Sequence, residues 1–186
     1  MTPNEAIYEI RSRLTEDQAE KATTEFLFKL SLDAHEFHGG KMMTIPIVDE
    51  VDNGWLEVWY TPGVSSVSRA IRDDKQVSMS HTSRGRTVAV VSDSTRVLGD
   101  GDCTPPGGMG VMEGKALLFN LLGGLDAVPI CLDVNRDMNR LVDTVNAIAP
   151  SFGAINLEDI SQPECYIALE QLQKSCSIPV WHDDAQ

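Results

Sequence analysis

Phe152-Gly153-Ala154-Ile155-Asn156-Leu157 runs directly into the acidic pair Glu158-Asp159, and Ile178-Pro179-Val180-Trp181 runs through His182 into Asp183-Asp184. Each short run is apolar enough to be a buried strand. The interval between them has the length of a helix, and Ser161-Gln162-Pro163-Glu164 reads as the capping box that opens it, over Pro163 to Lys174. A strand, a helix and a second strand form a right-handed crossover unit, which places both strand C-termini at one edge of a parallel sheet. All four carboxylates then emerge at the edge where open α/β sheets bind ligands. Four acids in one crevice repel one another unless a cation sits among them. Solvated loop ends or helix caps are the competing explanation of each pair taken alone.

The same alternation extends upstream. Thr87-Val88-Ala89-Val90-Val91 and Ala127-Val128-Pro129-Ile130-Cys131-Leu132 are two further buried strands. Helices are expected over Glu113 to Leu122, stopped by Gly123-Gly124, and over Arg136 to Ile148, stopped by Pro150. The fold class is therefore α/β: a mainly parallel sheet of about four strands with helices on both faces. An N-terminal helical segment precedes it, spanning residues 1–40 and ending at Gly39-Gly40, with Thr15 as an N-cap. Lys41 to Val48 reads as extended, and Trp55-Leu56-Glu57-Val58-Trp59 as a short strand after the turn Asp52-Asn53-Gly54.

Composition narrows the function. The 186 residues hold 15 Lys and Arg against 28 Asp and Glu, a net charge of −13. A domain of this size buries roughly 70% of its unfolded surface without staples. The acidic balance disfavours nucleic acid and anionic membranes as partners. No stretch approaches a transmembrane span, and Met1-Thr2-Pro3-Asn4-Glu5 lacks the pattern of a signal peptide, so a cytoplasmic location is expected. The four cysteines match neither a disulfide framework nor a zinc motif; Cys165 and Cys176 stand about 16 Å apart along one helix.

Several groups at the expected sheet edge could carry chemistry. The pairs Glu158-Asp159 and Asp183-Asp184 offer only oxygen, which suits Mg²⁺ or Mn²⁺. His182 is either a ligand or a structural hydrogen-bonding group. Lys115, within Met112-Glu113-Gly114-Lys115-Ala116, is either a solvated first-turn lysine or a base whose pKa a neighbouring cation lowers. Ser92-Asp93-Ser94 and Leu98-Gly99-Asp100-Gly101-Asp102 lie on the connections at this edge. Arg96 and Arg84-Gly85-Arg86 are the nearby cations, and an arginine fork suits a carboxylate substrate. Gly114-Lys115 is not a phosphate-binding P-loop, since Met109 and Ala116 occupy the required Gly and Ser/Thr positions.

Set in order, these segments resemble the N-terminal domain of malic enzymes, from roughly residue 30 to the end. The resemblance rests on Tyr60-Thr61-Pro62-Gly63-Val64, Val88 to Ser94, Leu98-Gly99 with Gly101-Asp102, Val111-Met112-Glu113-Gly114-Lys115-Ala116, Phe152 to Ile160, and His182-Asp183-Asp184. It implies an amino-acid-dehydrogenase-like N-terminal domain over residues 41–186 and oxidative decarboxylation of L-malate to pyruvate and CO₂, with NAD or NADP as hydride acceptor. By the same resemblance Glu158, Asp159 and Asp184 hold Mg²⁺ or Mn²⁺ and Asp183 supports the site. Lys115 is the general base, Tyr60 the general acid, and Arg96 a malate-carboxylate contact. A homodimer with contacts from the N-terminal helices is expected, and an NAD(P)-binding Rossmann domain is expected after Gln186, outside this sequence. The chain departs from the family pattern at Asp100, at Cys103-Thr104-Pro105 and at Gly110. A malolactic enzyme, turning malate into lactate, and a non-catalytic metal- or dicarboxylate-binding regulatory module are the alternatives.

Overall fold

A computed structural model describes residues 1–48 and 52–184. The chain divides into two compact units, Met1–Lys41 and Met42–Gln186. The first is a pair of helices, α1 (Pro3–Arg13) and α2 (Glu16–His38). Thr2 and Thr15 open them with capping boxes closed by Glu5 and Gln18, and Gly39 ends α2 in the left-handed conformation at φ 66°.

The second unit begins with α3 (Asn53–Trp59), α4 (Val64–Asp73) and α5 (Val77–His81). The α/β layer follows: β1 (Thr87–Ser92), α6 (Thr104–Gly123), β2 (Asp126–Cys131), α7 (Met138–Ile148), β3 (Ala154–Leu157), α8 (Glu164–Ser175) and β4 (Val180–His182). The four strands form one sheet in the order β2-β1-β3-β4, with every pairing parallel. All six residues of β1 are buried, as its central place in the sheet requires.

Two apolar clusters cover the two faces. On one face Ala89, Val91, Ile155 and Leu157 pack under α7 and α8 through Leu141, Val145, Ala168 and Leu172. On the other, Val88, Val90 and Ala127 pack under Met112 and Ala116 of α6. Trp181 joins this second face, edge-on to Phe119 at 6.0 Å, so it is a packing residue.

Two expectations are corrected. Trp55 to Trp59 is helix α3, not a strand: the Asp52 side chain accepts from the Trp55 N–H, and Trp55 and Trp59 stack at helical i, i+4 spacing. Aromatic and β-branched composition suggested a strand, but the cap and the spacing prevail. Helix α6 starts nine residues before the expected Glu113. Its prolines fall in the first turn, where a missing N–H costs nothing, so Pro105-Pro106 open the helix instead of blocking it. Lys41 to Val48, read as extended, lies outside the regular helices and strands. Residues 49–51 and 185–186 of the expected 41–186 domain lie outside the described residues.

Candidate functional site at the carboxyl edge of the sheet

The strand order creates the site. From β1 the chain moves outward to β2, then crosses back over β1 to β3, so the order reverses between β1 and β3. Crevices for ligands form at such a reversal, outside the carboxyl ends of the strands. Asp93-Ser94 leaves β1 at this point and Glu158-Asp159 leaves β3 beside it. The Glu158 N–H still donates to the Val91 carbonyl at 2.9 Å, and the Asp183 N–H to the Leu157 carbonyl at 3.2 Å, so sheet pairing fixes both acidic pairs.

Lys115 reaches this edge from α6. Gly108, Met112 and Ala116 form the buried stripe of that helix, and Lys115 projects beside it. Helical side chains tilt toward the helix N-terminus, here the end nearer the acids. The Lys115 ammonium lies 3.2 Å from Glu158 Oε1 and 2.9 Å from Asp183 Oδ2. Burial pushes its pKa down, but the hydrogen bond to Asp183 and the charge of Glu158 outweigh burial and leave it raised. In this arrangement Lys115 is therefore a charged ammonium. The solvated first-turn lysine expected as one alternative is corrected: Lys115 stands in the middle of α6, and two carboxylates hold its ammonium.

Glu158 is 7% exposed, and burial raises its carboxyl; the Asn156 amide, donating to Oε2 at 2.7 Å, and then Lys115 oppose that rise. Asp159 is 5% exposed, and burial followed by the charge of Asp184 raises its carboxyl to about 6, against Lys115 and Arg96. His182 is fully buried, and its Nδ1 accepts the Asp184 N–H at 3.1 Å, which leaves the proton on Nε2. Burial lowers its pKa, so the ring is neutral.

Unsatisfied groups concentrate here. Six buried side-chain polar atoms among the described residues lack a hydrogen-bond partner, and five of them belong to Asp93, Ser94, Asn156, Asp159 and His182. Such atoms are costly in a folded chain and mark positions where a ligand or ion completes the shell. Among the described residues, no group of three or more His, Cys, Asp and Glu side chains is gathered to hold a metal ion as they stand. Lys115 supplies the positive charge between Glu158 and Asp183 instead. The donor set nevertheless fits a hard divalent cation: it offers oxygen alone, and the buried Asp159 Oδ2 has no partner.

Other expected residues fall elsewhere. Arg96 is exposed, its N–H donates to the Asp159 carbonyl at 3.0 Å, and its positive charge acts on the Asp159 carboxyl. Tyr60 follows a helix, is 72% exposed, and has no hydrogen bond or ring contact with Lys115 or the acids. Arg84 and Arg86 are corrected: they precede β1, at the opposite edge, where Arg84 holds the Phe152 carbonyl and Arg86 pairs with Asp126 at 2.7 Å. Sequence reasoning passed over Asn156, whose signal is an amide inside an apolar strand. It also passed over Arg136, paired with Asp102 at 2.7 Å beside a cleft lined by Asp93, Thr95 and Leu132.

A parallel α/β domain with a lysine-bridged acidic crevice at its topological switch point is thus the class defined by fold and site. The family model of the malic enzyme N-terminal domain matches residues 40–173, and the chain belongs to that family. An NAD-dependent malic enzyme of Geobacillus stearothermophilus is 50% identical over 149 residues, covering 78% of this chain and 30% of that protein. A bifunctional malic/malolactic enzyme of Bacillus subtilis is 42% identical over 154 residues, 83% of this chain and 37% of its own length. The crystal structure of the Entamoeba histolytica malic enzyme superposes with a TM-score of 0.94 at 49% identity, covering 99% of this chain and 39% of that one. The chain thus spans between about a third and two-fifths of these relatives. Among the described residues no helix is long and apolar enough to cross a membrane.

Proposed function

We propose that this chain supplies the malate- and metal-binding part of an enzyme that oxidatively decarboxylates L-malate to pyruvate and CO₂ with NAD or NADP. The observation that carries the proposal is the Lys115 ammonium held between Glu158 and Asp183 beside the unpartnered Asp159 carboxylate. Glu158, Asp159 and Asp184 would hold Mg²⁺ or Mn²⁺. Such a cation would supply positive charge at the malate C2 oxygen and would weaken the hold of the acids on the Lys115 proton. Lys115, once neutral, would take the C2 hydroxyl proton, with the nicotinamide as the hydride acceptor. Asp183, 2.9 Å from its Nζ, orients the amine and receives its hydrogen bond. Arg96 binds a malate carboxylate. After CO₂ leaves, Tyr60 would give a proton to C3 as pyruvate forms. The nicotinamide belongs to a Rossmann domain of the complete protein, which works as a homodimer.

The test is turnover of malate by the full-length protein with Mn²⁺ and either nucleotide, with pyruvate and lactate both measured. Lys115→Ala should lower turnover by about 10³-fold while Mn²⁺ still binds. Unchanged turnover would leave a non-catalytic binding module as the better account. Lactate as the product would favour the malolactic reading, which the similarity to the Bacillus subtilis bifunctional enzyme keeps in view.

A further inference from the structure

The loop leaving β1 is stitched to the loop leaving β3 by two hydrogen bonds that flank a single residue. The Arg96 N–H donates to the Asp159 carbonyl at 3.0 Å. The Ser161 N–H donates to the Thr95 hydroxyl at 2.9 Å. Between them Ile160 is 2% exposed and packed in the core under α7 and α8. The Thr95 hydroxyl in turn donates to Asp93 Oδ1 at 2.6 Å, and the same oxygen accepts the Thr95 N–H at 3.1 Å. The hydroxyl's one donor is thus spent on Asp93, and one of its two acceptor sites on Ser161.

The clasp acts on a backbone that needs it. Asp159 has φ 52°, in the left-handed region that residues other than glycine enter only when their surroundings hold them there. Its carbonyl is pinned on one side and the Ser161 amide on the other, which directs the Asp159 carboxylate into the crevice at 5% exposure. Ser161 also starts α8: its carbonyl accepts the Cys165 N–H at 2.9 Å and its hydroxyl donates to Glu164 Oε2 at 3.1 Å. A rotation of the Ser161 peptide would therefore be felt at both the acidic pair and the helix.

We infer that Thr95 is a positioning residue for the divalent-cation site: its hydroxyl, oriented by Asp93, locks the left-handed turn that aims Asp159. The inference rests on the assignment of Asp159 as a cation ligand. Groups that orient a ligand without touching the ion commonly change affinity by 10- to 100-fold.

Titration of the full-length protein with Mn²⁺ alone, followed by the loss of the free-ion electron paramagnetic resonance signal, tests it without turnover. Thr95→Val keeps the shape and removes the hydroxyl, and should weaken Mn²⁺ about 10-fold or more while leaving nicotinamide binding unchanged. Thr95→Ser restores the hydroxyl and should bring the Mn²⁺ Kd back to within about threefold of the parent. If Thr95→Val binds Mn²⁺ as tightly as the parent, or Thr95→Ser fails to recover the affinity that Thr95→Val loses, the positioning role is overturned. Should Thr95→Val fail to fold, Thr95→Ala removes the same hydroxyl with a smaller side chain; a weakened Kd supports the clasp and an unchanged one refutes it. A parent protein that binds no Mn²⁺ refutes the cation assignment itself, a result distinct from all of these.

Discussion

Replacing Asp159 by Asn should make the cation-free protein more stable. The carboxyl is 5% exposed, its Oδ2 has no partner, and burial with the charge of Asp184 moves it from 3.8 to about 6. A folded-state pKa above the unfolded one means that the folded chain prefers the protonated acid. The group costs nothing at pH values below about 3.8, costs progressively more as pH rises to about 6, and carries its full penalty above that. About two pKa units at 1.36 kcal/mol each set a ceiling of about 3 kcal/mol. Solvent and salt at the open sheet edge reduce this to about 1–2 kcal/mol. Asn keeps the shape and removes the charge. Urea unfolding in EDTA at pH 7.5 should therefore show Asp159→Asn more stable by about 1–2 kcal/mol, with most of the gap gone by pH 4. In Mn²⁺ the order should reverse, because the parent gains about 2.7 kcal/mol at a hundred times its Kd and the variant gains little. A variant less stable than the parent in EDTA at pH 7.5, or a gap independent of pH, would refute the reasoning that this carboxylate is an uncompensated charge.

Two further substitutions probe the scaffold. Leu141 of α7 is fully buried in the larger cluster, so Leu141→Ala should lower the unfolding free energy by about 2–5 kcal/mol in urea titration, without altering the Mn²⁺ Kd of the folded fraction. A β-carbon at Gly108 would overlap Ser94 Oγ, so Gly108→Ala must push α6 away from the β1 exit loop. That change should cost about 1–3 kcal/mol and also weaken turnover, since α6 carries Lys115; a variant with normal stability and normal kcat would show that the helix and loop separate freely.

Much of the fold is legible locally. β1 and β3 announce themselves as β-branched or apolar runs, and α7 and α8 as amphipathic intervals between them. Capping boxes at Thr15 and a left-handed glycine at Gly39 are equally local signals. The misread segments share a cause. Trp55 to Trp59 carries strand-forming side chains at helical spacing, and Pro105-Pro106 are helix-breaking residues where a helix's first turn tolerates them. Composition alone misleads in both, because position within the element decides what Pro, Gly or Trp does.

The acids at the strand ends, the alternation of strand and helix, and the family motifs are properties of the chain read in one dimension. The sequence by itself therefore determined a parallel α/β sheet with carboxylates along one edge. It did not determine which groups meet there. Lys115 and Asp183 are 68 residues apart, and Thr95 and Ser161 are 66 apart. Their contacts exist because the order β2-β1-β3-β4 sets the exits of β1 and β3 side by side and lays α6 across one face. Only the tertiary structure decided that Lys115 is charged and clamped by two acids, that Asp159 is buried without a partner, and that Thr95 holds its turn. Proton affinity and metal geometry depend on distances across the sheet edge, and local sequence patterns carry no such distances.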